Sequence, residues 1–104
     1  GGPILSVNSL VAGQTASVEV SACTPGGRVF LAYSLTGGGP TSSSYGTLFL
    51  SPPYTVLNQR YANLAGLVIW NIPVPGNTSG TPVWLQALDV GSFTLTNGLA
   101  RVVQ

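Results

Sequence analysis

The chain has 104 residues, of which 44% are hydrophobic, which is enough apolar surface for a single core and too much for a disordered chain. Charged residues make up only 5%, against roughly 25% in an average soluble domain, and the formal net charge is +1. Three scattered arginines exclude the basic stripe of a nucleic-acid-binding protein, and almost no self-repulsion keeps copies of the chain apart.

The first third of the chain alternates apolar and polar residues with the period of two that is typical of a half-buried β-strand. Leu5 and Val7 predict a first strand, followed by a turn at residues 12–14. The segments 16–23 and 28–35 predict a second and a third strand, separated by the turn sequence TPGG. The second strand would have an apolar face and a more polar one: the first carries Ala16, Val18, Val20 and Ala22, and the second carries Ser17, Glu19, Ser21 and Cys23. The third strand would have an apolar face that carries Val29, Leu31, Tyr33 and Leu35.

The middle of the chain gives weaker signals. Residues 36–46 have no periodicity and predict a long flexible loop. A short strand is expected at 47–51, ahead of two prolines that cannot donate to a sheet ladder. Residues 54–65 fit either a short strand at 54–57 or an irregular crossover that carries Arg60.

The run GLVIWNIPV, residues 66–74, is rich in strand-forming residues and has no charge. It predicts a central strand, covered on both faces, with Leu67 and Ile69 on one and Val68 and Trp70 on the other. The alternative is a surface that joins other copies, because such a run is an aggregation hazard when its edge is free. Lysine, a usual edge protection, is absent, so prolines are the main visible protection.

The last third predicts a strand at 83–90 and a terminal hairpin around Asn97-Gly98, a strong short hairpin signal. About seven to nine short strands are expected, with no helix. This pattern predicts an all-β fold, an antiparallel β-sandwich that is immunoglobulin-like in broad architecture. One domain would span residues 1–104, with residues 1–9 as a mobile or exchanged N-terminal strand.

Residues suited to catalysis are nearly absent, because the chain has no histidine and only two carboxylate side chains, Glu19 and Asp89. Glu19 is expected on a solvated strand face and Asp89 is expected to cap a turn. We therefore predict a non-enzymatic protein with no cofactor and no metal site; a weak Ca²⁺ site at Asp89, helped by Asn77 or Asn97, is the alternative for a metal. Cys23 has no activating neighbour and is expected to be a packed thiol, or else to form an intermolecular disulfide.

Aromatic residues raise the possibility of carbohydrate binding. Trp70 and Trp84 lie within strand patterns and are expected to fill the core. Tyr45 and Tyr54 lie beside glycine- and proline-rich segments and are the candidate contacts for a sugar or matrix polymer. Asn77 begins the sequence Asn-Thr-Ser, a weak N-glycosylation signal in a predicted exposed loop.

Three segments that span nearly the whole chain, residues 10–41, 46–54 and 83–104, resemble a module found in secreted proteins of environmental bacteria. The blocks AYSLTGGGPT and WLQALD are the most specific parts of this likeness. The resemblance implies an extracellular or cell-surface β-sandwich, and the family has no assigned activity whose residues could be transferred. Its members usually have alanine or glycine where Cys23 stands here.

The low charge and the lysine-free edges predict a structural subunit that associates with copies of itself. If Ile4, Leu5 and Val7 pair with a neighbouring copy, head-to-tail strand addition would build a filament; the alternative is that they pair within their own sandwich. The other candidate function is a carbohydrate- or matrix-binding module that uses Tyr45 and Tyr54. No membrane insertion is expected, because the apolar runs are far shorter than the roughly 20 residues of a spanning helix.

Overall fold

The structure, a computed structural model, describes residues 1–104 as short antiparallel β-strands without a helix. This confirms the predicted all-β, sandwich-like fold, whereas its immunoglobulin-like classification stays a prediction. No helix long and apolar enough to cross a membrane is present. The strands are β1 (Ile4–Val7), β2 (Thr15–Ser21), β3 (Arg28–Ser34), β4 (Thr41–Ser43), β5 (Gly46–Leu48), β6 (Tyr54–Val56), β7 (Arg60–Tyr61), β8 (Val68–Pro73), β9 (Pro82–Asp89), β10 (Thr94–Leu95) and β11 (Leu99–Val102).

Two sheets enclose the core. The first sheet has the order β1-β2-β8, and the second has β9 and β3 at its centre. Both β10 and β11 pair with the edge of β9 that points away from β3. Both β6 and β7 pair with the edge of β3 that points away from β9. Alternate residues of β2 and β3 face inward and are fully buried, among them Val18, Val20, Val29 and Leu31. The predicted alternation in these two strands is therefore confirmed.

Two strand ends differ from the predicted pattern. The second strand ends at Ser21, and Ala22 takes a positive φ of 57°. This left-handed residue breaks the alternation, so that Ala22 is exposed and Cys23 is buried, the reverse of the prediction. The third strand ends at Ser34, whose hydroxyl donates to the Ser51 carbonyl (2.7 Å), and Leu35 lies beyond the strand and is exposed.

The segment 36–51, predicted to hold a flexible loop and then a strand at 47–51, is an ordered arm on the outer face of the second sheet. Within it β4 and β5 form a hairpin. The backbone N–H of Phe49 donates to the side-chain carbonyl of Gln86 on β9 (2.8 Å), and the N–H of Ser51 donates to the carbonyl of Gly37 (2.9 Å). The first bond fastens the arm to the sheet and the second joins the two ends of the arm, which periodicity within the arm could not indicate.

The predicted terminal hairpin at Asn97-Gly98 is wrong. Here β10 and β11 do not pair with each other; they lie end to end along β9. The turn that reverses the chain is at residues 90–93, where Phe93 N–H donates to the Val90 carbonyl (3.1 Å). Together with the split between β6 and β7, this break raises the number of strands above the predicted seven to nine, to eleven.

The run at 66–74 forms β8, which is an edge strand and not the predicted central one. It pairs with β2 on one side only. Val68 and Trp70 are buried, whereas Ile69 keeps 39% of its surface exposed. The physical reason lies in residues 54–61, which pair with β3 of the second sheet and so leave no strand for the outer side of β8.

Candidate functional site: an open strand edge and an apolar groove

The outer edge of β8 carries backbone groups without a strand partner. Val74 N–H, just after β8, donates to the Gln14 carbonyl (2.9 Å) on the β2 side. Because N–H and C=O groups alternate between the two sides along an antiparallel strand, Ile69 and Asn71 direct theirs away from β2. The carbonyl of Leu67 follows the same alternation and accepts from Asn63 N–H (2.9 Å) outside the sheet.

Two side chains partly cover this edge: Oδ1 of Asn63 accepts from the N–H of Leu67, just before β8 (3.0 Å), and Arg60 bonds further along. The guanidinium of Arg60 on β7 donates to the Ile69 carbonyl at 3.3 Å, a long bond at an exposed position. Trp70 points inward and donates its indole N–H to the Asn58 carbonyl (3.2 Å). Between the edge and residues 57–60 lies a groove of about 430 Å³. Arg60 is therefore the only charged group that occupies a backbone acceptor of this edge.

On the opposite edge of the first sheet, the outward backbone groups of Leu5 are occupied by a side chain. Leu5 on β1 donates its backbone N–H to Oδ1 of Asn97 (2.9 Å), and Nδ2 of Asn97 donates to the Leu5 carbonyl (3.1 Å). The Asn97 amide thus occupies the place of a neighbouring strand. Sequence reasoning missed this role, because the Asn-Gly pair signals only a turn.

The three predicted assembly residues lie on β1 and pair with β2 of the same chain, the alternative that the sequence left open. Leu5 is buried opposite Val20, Val7 is half-buried, and Ile4 is 56% exposed. Whether this strand is exchanged between copies stays a prediction.

The two predicted ligand contacts lie in one groove. Tyr45, in the turn between β4 and β5, and Tyr54, on β6, both line a cavity of about 430 Å³ between the arm and the outer face of the second sheet. Phe93 packs on Tyr45 with ring centroids 4.5 Å apart. The remaining apolar lining includes Phe30, Ala32, Leu48, Val56, Leu88 and Leu95.

Much of the hydrogen-bonding capacity in this groove is already in use. Gln86 accepts from Phe49 N–H and donates to the Thr96 carbonyl (2.9 Å). The Ser43 hydroxyl donates to the Gly46 carbonyl (2.7 Å) and accepts from the Tyr45 N–H (3.1 Å). The groove therefore offers mostly apolar contact and few of the free polar groups that orient a ligand.

The two tryptophans have different positions. Trp70 is buried in the core between the sheets, as predicted. Trp84, in contrast, faces the outer side of the second sheet and lies under the arm, where a Cβ atom at Gly38 would approach its Cδ1 to 2.7 Å. The prediction for Trp84 is wrong because the arm covers the outer face of β9.

Asp89 lies at the end of β9 with 1% of its surface exposed and caps the turn region, as predicted. Its Oδ2 accepts from the Thr24 N–H and hydroxyl (both 2.9 Å) and from the Ser92 hydroxyl (2.7 Å); its Oδ1 has no partner. Burial alone would raise the pKa of Asp89, but the hydrogen bonds from Ser92, Thr24 and Gly91 hold it below its usual value.

The other polar candidates are dispersed. Glu19 is half-buried on β2, in the first sheet, whereas Asp89 belongs to the second. The amide of Asn97, considered above as a helper for Ca²⁺, is engaged by Leu5. Asn77 is exposed in a turn, so its position is accessible; its glycosylation stays a prediction.

Cys23 is expected to resist alkylation in the folded protein. The thiol is free and buried, and desolvation, followed by the negative charge of Asp89, raises its pKa to about 11. At a pH of about 8 only about one molecule in a thousand would carry the reactive thiolate. Intact mass after iodoacetamide treatment should be unchanged in buffer and increased in denaturant. Modification in buffer as fast as in denaturant would contradict this prediction.

Comparison with protein-family models, curated proteins and solved structures gives no match to this chain. The resemblance to a secreted bacterial module therefore stays a prediction.

Proposed function

We propose that the chain is a non-enzymatic, extracellular structural subunit that associates with copies of itself. The observation that carries this proposal is the open edge of β8, an uncharged strand in a protein with no lysine. Natural sheets protect such edges with charged side chains, prolines, bulges or interrupted strands, because an open edge is a template for further strands. At the β8 edge the only charged side chain is Arg60, which reaches over from β7, and the only proline is the terminal Pro73.

The rest of the surface favours association as well. A net charge of +1 supplies almost no electrostatic repulsion between copies. Large apolar side chains are exposed, and the extreme case is Leu64, which is 90% exposed on the turn before β8. Singly exposed apolar residues are ordinary, but here few charged groups surround them to oppose contact.

A filament could be built by exchange of the N-terminal strand. Because β1 already pairs with β2, exchange would recreate the same register, with Leu5 opposite Val20 of the next copy, and would need no new type of contact. Where the rotation between successive copies does not close a ring, each added copy would expose the next acceptor and a filament would grow.

The alternative, a carbohydrate- or matrix-binding module, draws support from Tyr45 and Tyr54, which line the same groove. We favour self-association, because Gln86 and Ser43 use their polar atoms within the protein and leave an apolar groove. Polysaccharide would have to be held there mainly by stacking.

Light scattering of the untagged chain over a concentration series, with negative-stain electron microscopy of the same samples, tests the proposal. We expect the mass to rise with concentration above the 10.6 kDa of one chain, and regular particles or filaments of constant width. A mass that stays at 10.6 kDa throughout would contradict self-association, and retardation of that monomer in a polysaccharide gel, lost in Tyr45→Ala, would favour the binding module.

A further inference from the structure

We propose that β8 pairs antiparallel with β8 of a second copy, about a two-fold axis at Trp70, when the Arg60 side chain leaves the Ile69 carbonyl. This inference rests on the proposed self-association and names the surface that produces it. It would join the two three-stranded first sheets into one continuous sheet across the two copies.

The free backbone groups of β8 are complementary to themselves. With the axis at Trp70, Ile69 lies opposite Asn71 of the partner copy, and the reverse. Both residues direct an N–H and a C=O outward, so each such pair can exchange two hydrogen bonds, the arrangement of a hydrogen-bonded antiparallel pair. A two-fold contact of this kind uses the same patch on both copies.

Neighbouring registers are poorer. An axis at Asn71 would set Ile69 opposite Pro73, which has no N–H to donate. An axis at Ile69 would set Asn71 opposite Leu67, whose carbonyl already accepts from Asn63 N–H. The register centred on Trp70 is therefore the one in which the N–H and the C=O groups of both Ile69 and Asn71 all find partners once Arg60 has left the Ile69 carbonyl.

Arg60 is the only charged side chain that bonds to this edge. Its bond to the Ile69 carbonyl is at the long end of hydrogen-bond geometry and lies at the surface, where water competes for both groups. The exposed Ile69 side chain, which stands beside this carbonyl, would be covered by the partner strand. Arg60 thus acts as a displaceable cover, and its removal should strengthen pairing.

Three variants, with association measured by light scattering, separate this edge from other surfaces. Ile69→Lys places a charge on the open edge strand and is expected to weaken association by about tenfold or more. Arg60→Ala removes the cover and is expected to strengthen it. Val102→Lys is the matched control: it adds the same charge to an exposed β-branched residue on β11, an edge strand of the second sheet, and should leave association unchanged.

The outcomes distinguish the inference from the proposed function. If the unmodified chain stays monomeric, the proposed function itself fails. If it associates but Ile69→Lys does so equally well, or if Val102→Lys weakens association to the same extent, the β8 pairing is wrong while self-association stands. Should Ile69→Lys fail to give the circular dichroism of the unmodified fold, Asn71→Pro replaces it, because the Asn71 N–H that this change removes points away from β2.

Discussion

Replacing Leu31 by alanine is expected to lower the free energy of unfolding by about 2–5 kcal/mol. Leu31 lies in the middle of β3 with none of its surface exposed, opposite Ala87 of β9. Truncation would leave a cavity that strands paired on both sides of β3 cannot close. Chemical denaturation followed by circular dichroism measures the loss.

Leu35→Ala is the matched control for this change. Leu35 lies on the same predicted face but beyond the end of β3, with 57% of its surface exposed. Its truncation should change stability by no more than about 0.5 kcal/mol. Equal losses at the two positions would contradict the burial of Leu31 in the core between the sheets.

Asp89→Ala is expected to cost about 3 kcal/mol, because three donors, the Thr24 N–H, the Thr24 hydroxyl and the Ser92 hydroxyl, lose their shared acceptor. The donors come from the turn after β2 and the turn after β9, so the carboxylate ties the two sheets together at one end. Denaturation curves of this variant, beside those of Asp89→Asn, separate loss of the acceptor from loss of the charge.

The pH dependence of stability should follow from the same carboxylate. Because the pKa of Asp89 is lower in the folded chain than its ordinary value of 3.8, the unfolded state binds the proton first as the pH falls. The stabilising contribution is therefore complete above the ordinary pKa and is lost as the pH drops from there through the lower folded pKa. Glu19 is the only other carboxylate side chain, so few other groups contribute to the change of stability in this pH range. If an Asp89→Asn variant lost as much stability on acidification as the unmodified chain, Asp89 would not be the group responsible.

The sequence predicts the strands whose burial follows a simple period. In β2 and β3, alternate valine and leucine residues must face the core, and the structure has them there. The class of fold follows from these strands and from the spacing of turns. Neither conclusion requires knowledge of which strands are neighbours.

Neighbour relations are what the sequence could not supply. The β8 run reads as a central strand because its composition suits one, yet its edge position depends on residues 54–61 joining β3. In the same way, Trp84 contacts the arm and Asn97 bonds to β1, and both of these partners are distant in the chain. The open edge and the groove between Tyr45 and Tyr54 are products of this long-range pairing.

Backbone amide hydrogen exchange of β8, measured in dilute and in concentrated protein, tests most directly whether copies join at this edge. We predict that the N–H groups of Ile69 and Asn71 exchange rapidly in dilute protein and slowly in the assembled state, while Trp70, whose N–H faces β2, is protected in both. Rapid exchange of Ile69 and Asn71 in protein that is demonstrably assembled would contradict the account and would transfer the contact to another surface.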